Sequence, residues 1–154
     1  MIHEYEILHK QAAAPQSVAS NASVSCAIID TKGYNYARFI VDIGATNINI
    51  ASLYVNESDL SNMGSAAIVS GSNFGGDNND AGSTSSLPSN GSTNTAVCIL
   101  INCKARKRYL QMVMSTAVLV NAAVLVSAAC DLSRPAETPR SASEAGLATR
   151  MVVP

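Results

Sequence analysis

A chain of 154 residues suffices for one domain with a sizeable core and is short for two. It is 47% hydrophobic but only 14% charged, with a net charge of −1. No basic footprint therefore points to nucleic acid, and the surface must be solubilised by Ser, Thr, Asn and Gly or be covered by other chains.

Residues 1–22 are expected to form an N-terminal arm. Ile2–Leu8 fits a strand or a short helical turn. QAAAPQSVASNAS after it is small, polar and broken by Pro15. Such an arm is extended and tied down by a neighbour, so its removal should leave the domain folded. The opening MIHEYEILHKQ carries acidic residues where a secretory leader needs basic ones, and no long apolar core follows; no signal peptide is expected.

From Ser23 the pattern changes to consecutive strands. VSCAIID alternates small and apolar positions, and Gly33 permits a turn over Asp30–Tyr34. Tyr36–Ile43 is a second strand, with Tyr36, Arg38, Ile40 and Asp42 on one face and Ala37, Phe39, Val41 and Ile43 on the other. IIDTKGYNYARFIVDIG therefore reads as a hairpin, shaped by Asp30 and Gly33. After a turn at Gly44–Asn47, Ile48–Asn56 is a third strand, with Ile48, Ile50, Ser52, Tyr54 and Asn56 opposite Asn49, Ala51, Leu53 and Val55. ESDLSNMGS leaves the sheet and Ala66–Gly71 returns as a short strand. Ser72–Thr93 is dominated by Gly, Ser, Asn and Asp, and is expected to be a long surface loop of the binding or mobile kind.

Asn94–Cys103 is a strong strand, KARKR a charged turn, and Tyr109–Ser115 and Val118–Ala129 the last strands. Tyr109–Cys130 carries no charge and is long enough to span a bilayer, but Gln111, Ser115, Thr116, Asn121 and Ser127 interrupt it; two strands joined by a turn account for it better. The final stretch has prolines, small residues and scattered charge, and is expected to order only on a partner. The expectation is an all-β, antiparallel β-sandwich or jelly-roll-like domain over residues 23–131, with an N-terminal arm (1–22) and an extended C-terminal tail (132–154).

The residues offer little chemistry. His3 and His9 are the only histidines, and with Glu4 and Glu6 beside them they lack metal-site spacing. No G-x-S-x-G elbow occurs, and GSNFGG lacks the Lys and helix of a phosphate loop. DNNDAG begins like a calcium loop, but Ala81 and Pro88 stand where oxygen ligands belong. Asp30, Asp42, Glu57 and Asp59 lie at strand ends, where carboxylates cap turns. Tyr34 and Lys32 lack the helix that would align a reductase pair. Five Tyr, two Phe and no Trp leave little for stacking bases or sugars. Of the four cysteines, Cys26, Cys98 and Cys130 sit in apolar runs, as small hydrophobes do, and all four, Cys103 included, are expected reduced. No catalytic, cofactor-binding or metal-binding residue is assigned, no cofactor is expected, and the chain is read as not an enzyme.

Three stretches carry a family resemblance: Asp30–Tyr34 before a strand, Glu57–Asp59 after the next, and Arg106–Tyr109 opening the final sheet segment, closed by LVSAACDLSRPAETP. Over roughly residues 23–140 the chain resembles small virion proteins of tailed bacteriophages, among them capsid cement or decoration proteins. That resemblance implies a non-enzymatic structural protein with a β-sandwich or jelly-roll body. It also implies a homotrimer bound to the major capsid protein on the capsid exterior and assembled in the host cytoplasm, with no nucleic-acid or membrane partner. Other readings are a head–tail connector or tail component, and a glycan-binding β-sandwich module using the Ser72–Thr93 loop.

Overall fold

The protein is described by a computed structural model over residues 7–74, 94–119 and 122–133. His3, residues 75–93 of the polar loop and residues 134–154 of the expected tail lie outside the described residues.

The strands are β1 (Ile7–Ala19), β2 (Ser23–Ser25), β3 (Ile29–Asp30), β4 (Tyr36–Thr46), β5 (Ile50–Ser58), β6 (Ala67–Ile68), β7 (Thr95–Asn102), β8 (Tyr109–Thr116) and β9 (Ala123–Ser133), with a 3-10 turn at Cys103–Ala105. One sheet has the order β1-β9-β4-β7. The other has β2-β8-β5-β6, with β3 also on β8. Every pairing is antiparallel.

The pairs are nested. β5 pairs with β6, β4 with β7, β2 and β3 with β8, and β1 with β9. Counting β2 and β3 as one interrupted strand, this is a long antiparallel hairpin rolled into two facing sheets, the wiring of a jelly roll. The all-β sandwich expected from the sequence is thus the observed fold, and its jelly-roll wiring follows from the strand order.

The nesting changes the reading of individual connections. Ile28–Gly44 is not a hairpin: β3 lies on β8 in one sheet and β4 between β9 and β7 in the other. The turn between them is an arch that carries the chain across the sandwich. The Asp30 carboxylate accepts from the Lys32 N–H, the Tyr34 N–H donates to the Thr31 carbonyl, and Gly33 takes a φ of 86° that an L side chain resists. Likewise β8 and β9, expected as strands joined by a turn, belong to opposite sheets.

The expected arm is also corrected. Ile7–Ala19 is an edge strand held by this chain's own β9 from Ile7↔Ser133 to Ala19↔Ala123, and Ala12 and Val18 reach the core. The folded domain thus starts inside the stretch assigned to the arm. It also runs past residue 131, since β9 continues to Ser133 and Leu132 is wholly buried. Removing residues 1–22 would strip the outermost pair of the nest.

The core lies between the sheets. β4 contributes Ala37, Phe39, Val41 and Ile43, the face expected from its alternation. β9 contributes Val124, Val126, Ala128, Cys130 and Leu132. The stretch into and along β5 departs from a single alternation: Ile48, just before the strand, and Ile50 are buried, and then Leu53 and Val55. The pairing with β8 slips between Ile50↔Thr116 and Ser52↔Ser115, and this bulge switches the phase of the strand. In β7, Ile99 and Ile101 point inward, so Cys98 between apolar neighbours lies exposed rather than in the core.

The bulge gives a direct test. Leu53→Ala should cost about 2–5 kcal/mol of unfolding free energy, as expected of a truncated core leucine, whereas Tyr54→Ala should cost clearly less. Urea denaturation of the two variants checks it.

Candidate functional site

Two side-chain clusters stand out, and the first is made by the resemblance motifs. Pairing along the two edges of β8 brings Asp30 and Ser58 to Tyr109 from either side, Asp30 through β3 and Ser58 through β5. The basic turn before β8 is clamped from both flanks. Asp30 accepts from Arg108 Nε at 2.8 Å and Nη2 at 2.6 Å, a forked pair. The Arg108 guanidinium carbon lies 4.9 Å from the centre of the Tyr109 ring. Thr31 donates to the Arg108 carbonyl from both its N–H (2.9 Å) and its Oγ1 (2.7 Å). On the other flank, Glu57 accepts from the Lys107 N–H at 3.1 Å and faces Arg106 Nη1 at 3.7 Å. Ser58, almost fully buried, donates to the Gly64 carbonyl and accepts from the Leu60 N–H, closing the turn after β5.

These charges therefore hold backbone. Arg106 and Arg108 of the basic stretch are paired rather than lying in a free solvated turn. The Arg108 hydrogen bond holds the Asp30 carboxyl down at about 2, below its ordinary 3.8. The Asp30–Arg108 pair is half-exposed, so solvent and salt screen its contribution.

The second cluster was not visible in the sequence. It lies on the outer face of the four-stranded sheet, in the row His9–Asp131–Arg38–Leu100 set by the registers of β1, β9, β4 and β7. Asp131 is only 8% exposed and sits on the solvent side of β9. One carboxylate oxygen pairs with His9 Nδ1, and the other accepts from Arg38 Nε at 3.1 Å and from Nη2. Arg38 and His9 thus cover a carboxylate that would otherwise be unpaired under the sheet surface. His9, expected in an exposed arm, is fixed here by β1.

The clusters do not form a nucleophile. Cys98 shares this face, but His9 lies three strand spacings away, about 14 Å, beyond proton-transfer reach. Burial pushes the Cys98 thiol up and raises Cys26 and Cys103 to about 11 and Cys130 to about 12, so they stay protonated at neutral pH. Asp42 and Asp59 join neither cluster. Among the described residues, no group of three His, Cys, Asp or Glu is placed to hold a metal ion, and no helix is long and apolar enough to cross a membrane. No protein-family model matches the chain, and no curated protein matches it.

Two measurements check these assignments. Asp30 is a carboxylate with a lowered pKa, so its contribution to stability is complete above pH 3.8 and is lost as pH falls toward 2. Asp30→Asn should thus be less stable than the parent at pH 7, with the difference closing below pH 4 and shrinking in high salt. Asp131→Ala should cost about 1–3 kcal/mol at pH 7 by chemical denaturation, because Arg38 loses its hydrogen-bonded partner.

Proposed function

We propose that the protein is a non-enzymatic structural component of a phage virion, a cement or decoration protein that binds the major capsid protein lattice and stabilises the head. The observation that carries this reading is the fate of the three motifs behind the resemblance. Four of their charged residues, Asp30, Glu57, Arg106 and Arg108, are spent on one another and on backbone at a single corner of the sandwich. A corner of this kind fixes the shape of a scaffold, which supports a structural role for the motifs. The low overall charge and the apolar side chains left outward, such as Leu100 and Leu125, suit a surface that meets other chains. Many copies on a symmetric lattice would hold through avidity even where each contact is modest. Jelly-roll domains serve many functions, so the fold by itself does not choose among them.

The test is stoichiometry and position. The protein is produced together with the head proteins of its proposed phage, and the particles are purified and imaged by electron cryomicroscopy. Density repeated over the whole capsid exterior, in groups of three, is the expected result. Density confined to one vertex or to the tail would replace the cement reading with a connector or tail role. Particles without the protein should lose their contents at lower temperature than particles carrying it. Truncation tests of lattice binding should spare β1, because a protein lacking residues 1–22 loses a strand of the fold as well as any contact to a capsid.

A further inference from the structure

Among the described residues the sandwich has four sheet edges, and three of them carry features that discourage a further strand. β1 contains Lys10 and Pro15 and two register shifts against β9. β2 and β3 are a broken edge of three and two residues, and β6 has only two residues. Short strands, charge, proline and bulges are the means by which sheets avoid edge-to-edge pairing. β7 has none of them. TAVCILIN is eight residues long, uncharged, free of proline, and paired with β4 in unbroken register from Ile43↔Thr95 to Tyr36↔Asn102. Among the described residues nothing pairs with its other side.

The backbone on that side can be assigned. The Cys103 N–H donates to the Asn35 carbonyl at 2.7 Å, so Tyr36↔Asn102 is a pair without mutual hydrogen bonds and Ala37↔Ile101 is a bonded one. The alternation turns the groups of Val97, Ile99 and Ile101 toward β4. Those of Ala96, Cys98, Leu100 and Asn102 face the open edge.

We propose that this edge pairs with β7 of a second copy of the chain, antiparallel about a two-fold axis at Ile99, joining two four-stranded sheets into one. Facing residues in an antiparallel ladder point to the same side of a sheet, so an outward residue must meet an outward one. Placing the axis at Ile99 sets Ala96 against Asn102 and Cys98 against Leu100 of the second copy, and all four open backbone positions find partners. The ladder ends where the strand ends: Asn94 has a φ of 48° on one side, and the 3-10 turn begins at Cys103 on the other. Inside, Ile99 meets Ile99 and Val97 meets Ile101, which continues the core. Outside, exposed Leu100 covers exposed Cys98. A second copy is the occupant because the edge is self-complementary: its open positions Ala96, Cys98, Leu100 and Asn102 are symmetric about Ile99, and Thr95–Asn102 has no charge for a two-fold axis to bring against itself. The pairing stands apart from the proposed function, and a three-fold contact elsewhere on the molecule is compatible with it.

The test is mass and cross-linking on the full chain. Light scattering should give an even number of subunits, and Leu100→Lys, which puts a charge into the seam at an outward position, should halve the mass while the circular dichroism spectrum is unchanged. Halving to a single subunit or to three separates this pairing from trimer formation. Leu100→Cys, oxidised with diamide, should form a covalent dimer through Cys98 and the new thiol, whereas Leu100→Cys combined with Cys98→Ser should not. A mass unmoved by Leu100→Lys together with no dimer from Leu100→Cys would overturn the proposal; the edge would then be covered by another segment of the chain or by a different protein. A dimer formed by Cys98 alone in the unsubstituted chain would move the axis from Ile99 and overturn the register.

Discussion

Pairing between the two ends of the described chain is the constraint on which the rest depends. β9 lies between β1 and β4, so the four-stranded sheet is incomplete until the last strand has entered it. The buried face of that sheet, Phe39 and Val41 beside Ala128 and Cys130, is assembled across this pairing. So is the outer row, since Asp131 finds Arg38 on one neighbouring strand and His9 on the other. Every nested pair except β5 with β6 joins strands far apart in sequence, so loop closure must be met before most contacts are gained. A fold of this kind belongs with the slower, non-local topologies.

The division of polar labour follows from the same wiring. A jelly roll sends the chain across the sandwich at almost every connection, and each crossing exposes backbone groups that no ladder satisfies. The protein meets this with side chains. Thr31, Asp30 and Glu57 hold the turn before β8, Ser58 closes the turn after β5, and Thr46 accepts from the Ile48 N–H and donates to the Ile48 carbonyl at the passage from β4 to β5. Thr116 accepts from the Ala22 N–H and donates to the Ala19 carbonyl where β1 turns toward β2. Most of these tasks fall to Ser and Thr hydroxyls, with Asp30 and Glu57 the carboxylates committed to them.

What could be read from the sequence was what is local. The period-two pattern of Tyr36–Ile43 gave the buried face of β4 correctly, because alternation depends on nothing beyond the strand. The strand existence of Asn94–Cys103 and Tyr109–Ser115 was legible for the same reason. The phase of β5 was not, because a bulge at Ala51 is fixed by pairing with β8 and leaves no mark in INIASLYVN. The IIDTKGYNYARFIVDIG stretch carries the same turn residues whether it makes a hairpin or an arch between sheets, and only the placement of β8 and β9 decides. The His9–Asp131–Arg38 row joins positions on three strands distant in sequence, and nothing in the spacing of those residues announces it.

The same limit holds at the N-terminus. QAAAPQSVA has the composition of a linker, small, polar and broken by proline, and those are also the properties of a strand at a protected sheet edge. An edge strand buries one narrow stripe, here Ala12 and Val18, and keeps most of its length in solvent. Pro15 is tolerated because an edge strand can turn a missing N–H outward, and the register shift between Ala13 and Gln16 absorbs the irregularity. Composition therefore distinguishes β1 from β7 better than it distinguishes β1 from a loop: one edge has been made poor at pairing and the other has not. Two strands at the two ends of one sheet, one carrying proline, lysine and register shifts and the other uncharged and in unbroken register, give the molecule a polarity that its net charge of −1 conceals.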